Sequence, residues 1–238
     1  MTEALASDPT ALALLAERPI LPMPKMGGSP AIDALFARQS GHGYVVGSDG
    51  MYLVLNRPWL RLRAPIADTQ MDSEPFGPAG PPALELLCGQ IPAPLLLAAA
   101  EHFRAALPNE AGGFIIWNAD HSTFRFEPSK VVSATPSRLV YTPPVVSAGD
   151  HIVADMHSHG DAPAFWSHTD DEDDRHHTRL SIVFGGFGPH WPLGYYIVRL
   201  SAAARYFPVK HNPFEYDSRA PRFAGWRADE LPRVPSPA

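Results

Sequence analysis

The sequence predicts an α+β protein, strands interspersed with helices, with a β-rich extension on its N-terminal side. Three observations carry this expectation. Short apolar runs bounded by Gly, Pro, Asn and Asp recur through the chain, the punctuation of strands and turns. Few stretches suit a helix, and the clearest is LLLAAAEHFRAAL at 95–107. Apolar residues make up 45% of 238, enough to bury a real core.

The elements follow in order. Residues 1–42 read as an N-terminal arm, with a short helix near 9–17 and then a Pro-rich stretch. Residues 43–66 read as a β-meander. Tyr44-Val45-Val46 and Met51 to Leu55 flank the turn Gly47-Ser48-Asp49-Gly50, and Asn56-Arg57-Pro58 turns into Trp59-Leu60-Arg61-Leu62-Arg63, which alternates apolar and basic. Residues 67–90, rich in Pro and Gly in their first part, read as a linker. The domain expected over 91–210 opens with the helix, which has Pro94 at its start. Strands are expected at 113–118, 123–126, 139–141 and 150–159. A charged helix should cover 169–180, with strands at 181–186 and 191–200. Residues 211–238 hold five Pro and read as an extended tail.

Composition narrows the chemistry. Net charge is −6 and pI about 6.0, so nothing favours nucleic acid as a partner. The N-terminus has Glu3 and Asp8 where a signal peptide would be basic. No window approaches ~18 uncharged apolar residues. No membrane association is expected, and a cytoplasmic location is. The single cysteine, Cys88, excludes an internal disulfide and an all-thiolate metal site. It reads as a small buried residue rather than a nucleophile. Pro and Gly together are about 19% of the chain, against a usual ~12%, so loops are many.

Of 11 His, six fall between 151 and 177. In a strand, residues two apart face the same way, so His157 and His159 in DMHSHG present two imidazoles side by side while Ser158 points away. Such a pair can begin a zinc or iron site; it can also be two His on an exposed strand face. Asp170, near the start of the charged helix, offers a carboxylate. Two His and one carboxylate leave a fourth tetrahedral position open, the arrangement of a catalytic zinc. Ser167 either caps that helix, as Ser-x-x-acid suggests, or donates to a developing oxyanion. Glu110, between the helix and the next strand, is the candidate base; taken by itself it reads as a surface residue.

Competing patterns fail. His157-Ser158-His159-Gly160-Asp161 is followed by Ala162, so it lacks the last ligand of HxHxDH. The run Asp170 to Asp174 lacks the Gly and closing Glu of a calcium loop. Asp171, Glu172, Asp173 and Asp174 read as a solvated first helical turn. Asp155 is a candidate acceptor for a metal-bound His. Phe165 and Trp166 line a groove or pack a lid. His168, His176 and His177 read as surface residues.

Glu110, then His157-Ser158-His159, then seven residues, then Ser167-x-x-Asp170 resembles the motif of the JAMM (MPN+, JAB) metalloprotease family, Glu…His-Ser/Thr-His-x7-Ser-x-x-Asp. The order of predicted elements over roughly 90–202 also resembles that fold, and Gly160 departs from the Pro of many eukaryotic members. The resemblance implies a JAMM/MPN-like sheet in which His157, His159 and Asp170 bind Zn2+. It implies that Glu110 handles the water proton and that Ser167 steadies the tetrahedral intermediate. It implies hydrolysis of peptide or isopeptide bonds beside the C-terminus of a ubiquitin-like protein. The layout of the whole chain is similar to the PRTRC-system family of bacterial mobile elements. That implies as partner a ThiF-family protein resembling ubiquitin-activating enzymes. A non-catalytic scaffold of the same fold, or a zinc amidohydrolase on a small substrate, are the alternatives. Loss of a ligand or of the Glu would favour a scaffold, and neither is lost.

Overall fold

The structure, a computed structural model, describes residues 8–67, 76–190 and 192–215. The parts of the expected arm, linker, last strand and tail that fall on 1–7, 68–75, 191 and 216–238 lie outside the described residues. The chain divides into two compact units, Met1–Cys88 and Gly89–Ala238.

The first unit holds helix α1 (Pro9–Glu17), strand β1 (Ile20–Pro22), helix α2 (Pro30–Phe36) and strands β2 (Gly41–Gly47), β3 (Gly50–Arg57), β4 (Leu60–Ala67) and β5 (Ala83–Leu86). Asp8 caps α1 and Ser29 caps α2, each followed by Pro at the first helical position. The expected meander is present as β2–β3–β4, with Gly47 opposite Gly50 at the first turn. It is the middle of a larger sheet. β1 adds parallel to β2 and β5 adds antiparallel to β4. So the arm and the linker, expected as connections, carry strands. Ile20–Pro22 and Ala83–Leu86 are too short to read as strands alone; each becomes one by satisfying the free edge of the meander. Ala79, also in the expected linker, is buried and donates its N–H to Asp49 Oδ1 at 2.7 Å. Ile32, Leu35, Val45, Tyr52 and Val54 close the core with it. Burial pushes the Cys88 thiol up to about 11, the wrong direction for a nucleophile.

The second unit holds helix α3 (Ala93–Ala106), strands β6 (Gly112–Asn118), β7 (Thr123–Pro128), β8 (Lys130–Thr135), β9 (Arg138–Thr142) and β10 (Asp150–Ser158), helix α4 (His168–Asp174) and strands β11 (Arg179–Gly185), β12 (Tyr195–Ala202) and β13 (Arg205–Pro208). Six strands form one mixed sheet in the order β13-β12-β11-β10-β6-β7, with β10 and β11 parallel. β8 and β9 make a separate ribbon. The expected helix over 169–180 ends at Asp174, because Arg179 and Leu180 already belong to β11. The strand expected from 191 begins at Tyr195. Neither β8 nor β13 was legible as a run of its own. Residues 211–215 of the expected tail pack into the unit: Phe214 is fully buried and bridges Ile91.

The sheet separates two chemistries. Ala154, Met156 and Ser158 of β10 are register partners of Leu180, Ile182 and Phe184 of β11. That face meets α3, where Phe103 lies edge-on to Phe184 at 5.0 Å between centroids. α3 buries Leu96, Ala99, Ala100 and Phe103 at helical spacing. The opposite face carries Asp155 on β10, its partner Ser181 on β11, and Arg199 opposite Ser181 on β12. A polar row on a central sheet must find partners: Arg199 finds them in α4, Asp155 in Tyr141 and Arg179, and Ser181 in Ser201.

Candidate metal centre

His157 is the last but one residue of β10, and His159 follows the strand's end. His159 N–H donates to Phe184 O of β11 at 2.8 Å, so the chain stays fixed past the strand. Gly160 then turns it with φ of +61°, a value closed to Pro. The loop 161–165 returns across the end of β11, where Gly186 N–H donates to Ala162 O at 2.7 Å. That loop brings the Pro163 carbonyl to 3.3 Å from His159 Nδ1. The imidazole N–H is thereby engaged at Nδ1, and Nε2 keeps its lone pair.

Asp170 comes from α4. Ser167 Oγ accepts from Asp170 N–H at 3.2 Å, and Ser167 N–H donates to Asp170 Oδ2 at 2.7 Å. This is a capping box. It occupies Oδ2 and leaves Oδ1 facing His157 Nε2 at 3.2 Å. His157 Nε2 also lies 3.2 Å from His159 Nε2. Ligand atoms of His157, His159 and Asp170 all fall within 4.8 Å of one another. Tetrahedral ligands at zinc–nitrogen and zinc–oxygen distances stand about 3.3 Å apart, so the donor set fits that ion.

The three groups are coupled electrostatically. Burial disfavours charge on His157, but the hydrogen bond and charge of Asp170, with Asp155 and Glu110 nearby, raise its pKa. Burial also opposes the Asp170 carboxylate, yet His157 and the Ser167 N–H hold it down at about 2. Burial and the neighbouring His157 lower the pKa of His159.

The predicted Glu110 joins this group through strand pairing. Gly112, two residues on, is the register partner of His157. Ser158 is fully buried and accepts from Ala111 N–H at its Oγ, while its own N–H donates to Ala111 O at 2.9 Å. Burial raises the Glu110 carboxyl pKa, His157 opposes that rise and Asp170 adds to it. Glu110, Ser167, His157, His159 and Asp170 share the wall of one cavity of about 860 Å³, with Tyr141 and Phe165 among its other walls.

Comparison with known families divides the chain in the same region. Residues 92–205 match the prokaryotic homologs of the JAB domain. Residues 8–87 match a domain of unknown function, DUF2016. Residues 92–205 belong to the JAB family. A search of curated proteins gives no match.

The JAB domain also holds charges that the sequence reading placed differently. Asp174 is buried rather than solvated, and Asp171 is half-buried. Arg199 reaches Asp171 Oδ1 at 2.6 Å and Asp174 Oδ2 at 2.8 Å. Asp155 does not hold a metal-site His. Its carboxylate accepts from Tyr141 Oη at 2.9 Å and pairs with Arg179 Nη2 at 2.8 Å. Burial pushes the Asp155 carboxyl up to about 6, against the pull of Arg179 and Tyr141. Two signals were available: Asp171 and Asp174 share a helix face at i, i+3, and Arg199 stands inside an apolar strand. Trp166 lies over Arg199, 4.0 Å from guanidinium carbon to ring centroid. Phe165 is exposed and edge-on to His159 at 4.5 Å. His168 stays on the surface and pairs with Glu172, while exposed His177 lines the cavity. Among the described residues, no helix is long and apolar enough to cross a membrane.

Proposed function

We propose that the chain is a zinc-dependent hydrolase of the cytoplasm that cleaves peptide or isopeptide bonds beside the C-terminus of a ubiquitin-like protein. The observation that carries the reading is the convergence of His157, His159 and Asp170 within 4.8 Å, on a cavity wall shared with Glu110 and Ser167. His157 and His159 would hold the ion through Nε2 and Asp170 through Oδ1. Zinc supplies Lewis acidity, which makes a water nucleophilic near neutral pH and polarises the scissile carbonyl. Glu110 takes the proton of the attacking water and returns it to the leaving amine, and its raised pKa suits both transfers.

Ser167 has one lone pair in the cap bond and keeps its hydroxyl proton free to donate to the oxyanion. Capping and oxyanion donation are therefore compatible, and the cap aims the hydroxyl. The resemblance of the whole chain to mobile-element proteins supports a ThiF-family partner.

The test is metal content together with cleavage of a fusion to a ubiquitin-like protein encoded beside the gene. One zinc per chain, cleavage by the wild type, and none by Glu110→Gln with its zinc intact is the expected result. A zinc-loaded wild type that leaves such fusions whole would sink the isopeptidase reading in favour of a scaffold or a small-amide hydrolase.

A further inference from the structure

We infer that Arg199 is a positioning residue for the metal-ligand set, acting through the segment that carries Ser167 and Asp170. The inference rests on the zinc reading above and adds a residue outside the motif.

Arg199 is almost wholly buried on β12, one strand beyond β11 from the strand of His157. Its guanidinium is held on every side. The Trp166 ring covers one approach, with 4.0 Å to its centroid, and the Tyr206 ring another at 3.8 Å. At the fork, Nη1 donates to Asp171 Oδ1 at 2.6 Å. Nη2 and Nε donate to Asp174 Oδ2 at 2.8 and 3.2 Å. Tyr206 also donates its hydroxyl to the Asp171 carbonyl.

The placement of these contacts along the chain matters. Trp166 is the residue before Ser167, and Asp171 is the residue after Asp170. Arg199 thus grips both flanks of Ser167–Asp170 through Trp166 and Asp171. The same Asp174 lies 3.8 Å from Arg179, which pairs with Asp155, two residues before His157. The run Asp155–Arg179–Asp174–Arg199–Asp171 therefore links the strand of His157 to the helix of Asp170. A helix of only seven residues, with Asp174 its one buried residue, has little apolar packing to fix it. The guanidinium supplies the fix. A planar fork can serve two carboxylates and stack on a ring at once, which an ammonium cannot.

The test compares Arg199→Lys with Phe214→Leu, a control in the same unit away from the cavity. Zinc affinity is read by chelator competition, and ligand geometry by the visible spectrum of the cobalt(II)-loaded protein. Lys keeps the charge, so a change reports geometry. Arg199→Lys should lose about 10–100-fold in zinc affinity, the usual effect of removing a partner that orients a ligand. It should also shift the cobalt spectrum, while Phe214→Leu does neither. Tyr206→Leu, which removes one stacked face and the bond to Asp171 O, should lose affinity several-fold and serves if the Lys variant does not fold.

Wild-type affinity and spectrum in Arg199→Lys, or in Tyr206→Leu where that variant serves, overturn this inference alone. An equal loss in Phe214→Leu overturns it too, since the effect would then follow stability. A wild type that binds no zinc overturns the zinc reading and this inference together.

Discussion

Ser167 and Asp170 hold each other: the Ser167 N–H donates to Asp170 Oδ2 at 2.7 Å, and Ser167 Oγ accepts from the Asp170 N–H at 3.2 Å. One carboxylate oxygen is thereby used for the helix cap and the other is turned to His157. The cap that starts the helix also aims the free carboxylate oxygen at the His pair.

Replacing Ser167 separates the two parts of this arrangement. Ser167→Ala loses the Oγ bond but keeps the backbone bond to Oδ2. Zinc should stay bound, and stability should fall by about 1 kcal/mol, as for a lost cap. Turnover should fall by roughly 10²–10³, as for a lost oxyanion donor. Denaturant midpoints and single-turnover rates check this; an unchanged rate would leave Ser167 as a cap only.

Glu110→Gln keeps size and removes the base. Turnover should drop by about 10²–10⁴ with zinc content unchanged. Metal analysis beside steady-state rates decides it, and a fall in both would make Glu110 a ligand or a structural residue instead.

Gly185 is where the loop after His159 crosses β11. A Cβ there would collide with the backbone of Ala162, Pro163 and Ala164. Gly185→Ala should cost about 1–3 kcal/mol by overpacking and should move Pro163, the acceptor for His159 Nδ1. Thermal unfolding and zinc affinity should fall together. A variant as stable as wild type and equal in affinity contradicts the packing.

The β12–β13 turn uses Ala203 and Ala204 at φ of +50° and +59°. That is the backbone of a two-residue turn favouring Asn-Gly, and it strains a side chain with a Cβ. The double substitution Ala203→Asn with Ala204→Gly should raise stability by about 1 kcal/mol, read as a higher unfolding midpoint. A lower midpoint would refute the strain.

Asp150 titrates against its neighbours in a defined direction. Hydrogen bonds from Arg125 and Asn118, opposed only by burial, hold its carboxyl below the usual carboxylate range. A depressed folded-state pKa gives stability that is present above the unfolded value, about 3.9, and is lost as pH falls through the folded one. Asp150→Asn should therefore be less stable than wild type at pH 7, with a smaller deficit at pH 3. Urea midpoints at the two pH values check the sign, and equal deficits would contradict it.

The His157/His159 pair and the Ser167/Asp170 pair were legible because each has a local geometry. His157 and His159 are two apart at a strand end, and Ser167 and Asp170 form a cap within one turn. Backbone conformation over a few residues fixes such relations, so spacing in the sequence carries them. Glu110 was legible only by the family's motif. Its place beside His157 depends on Gly112 pairing with that His and on Ser158 bonding Ala111, contacts spanning 47 residues for the latter.

The rest was decided by tertiary structure alone. Ile20–Pro22 and Ala83–Leu86 have weak local signals and become strands because the meander's edges need hydrogen-bond partners. Asp171 and Asp174 carry the composition of a solvated turn. They become partners of Arg199 because β12 brings a buried guanidinium beneath them. Local propensity and periodicity report what a segment does with its own neighbours. They are silent on a buried charge, whose cost is met by a group far along the chain.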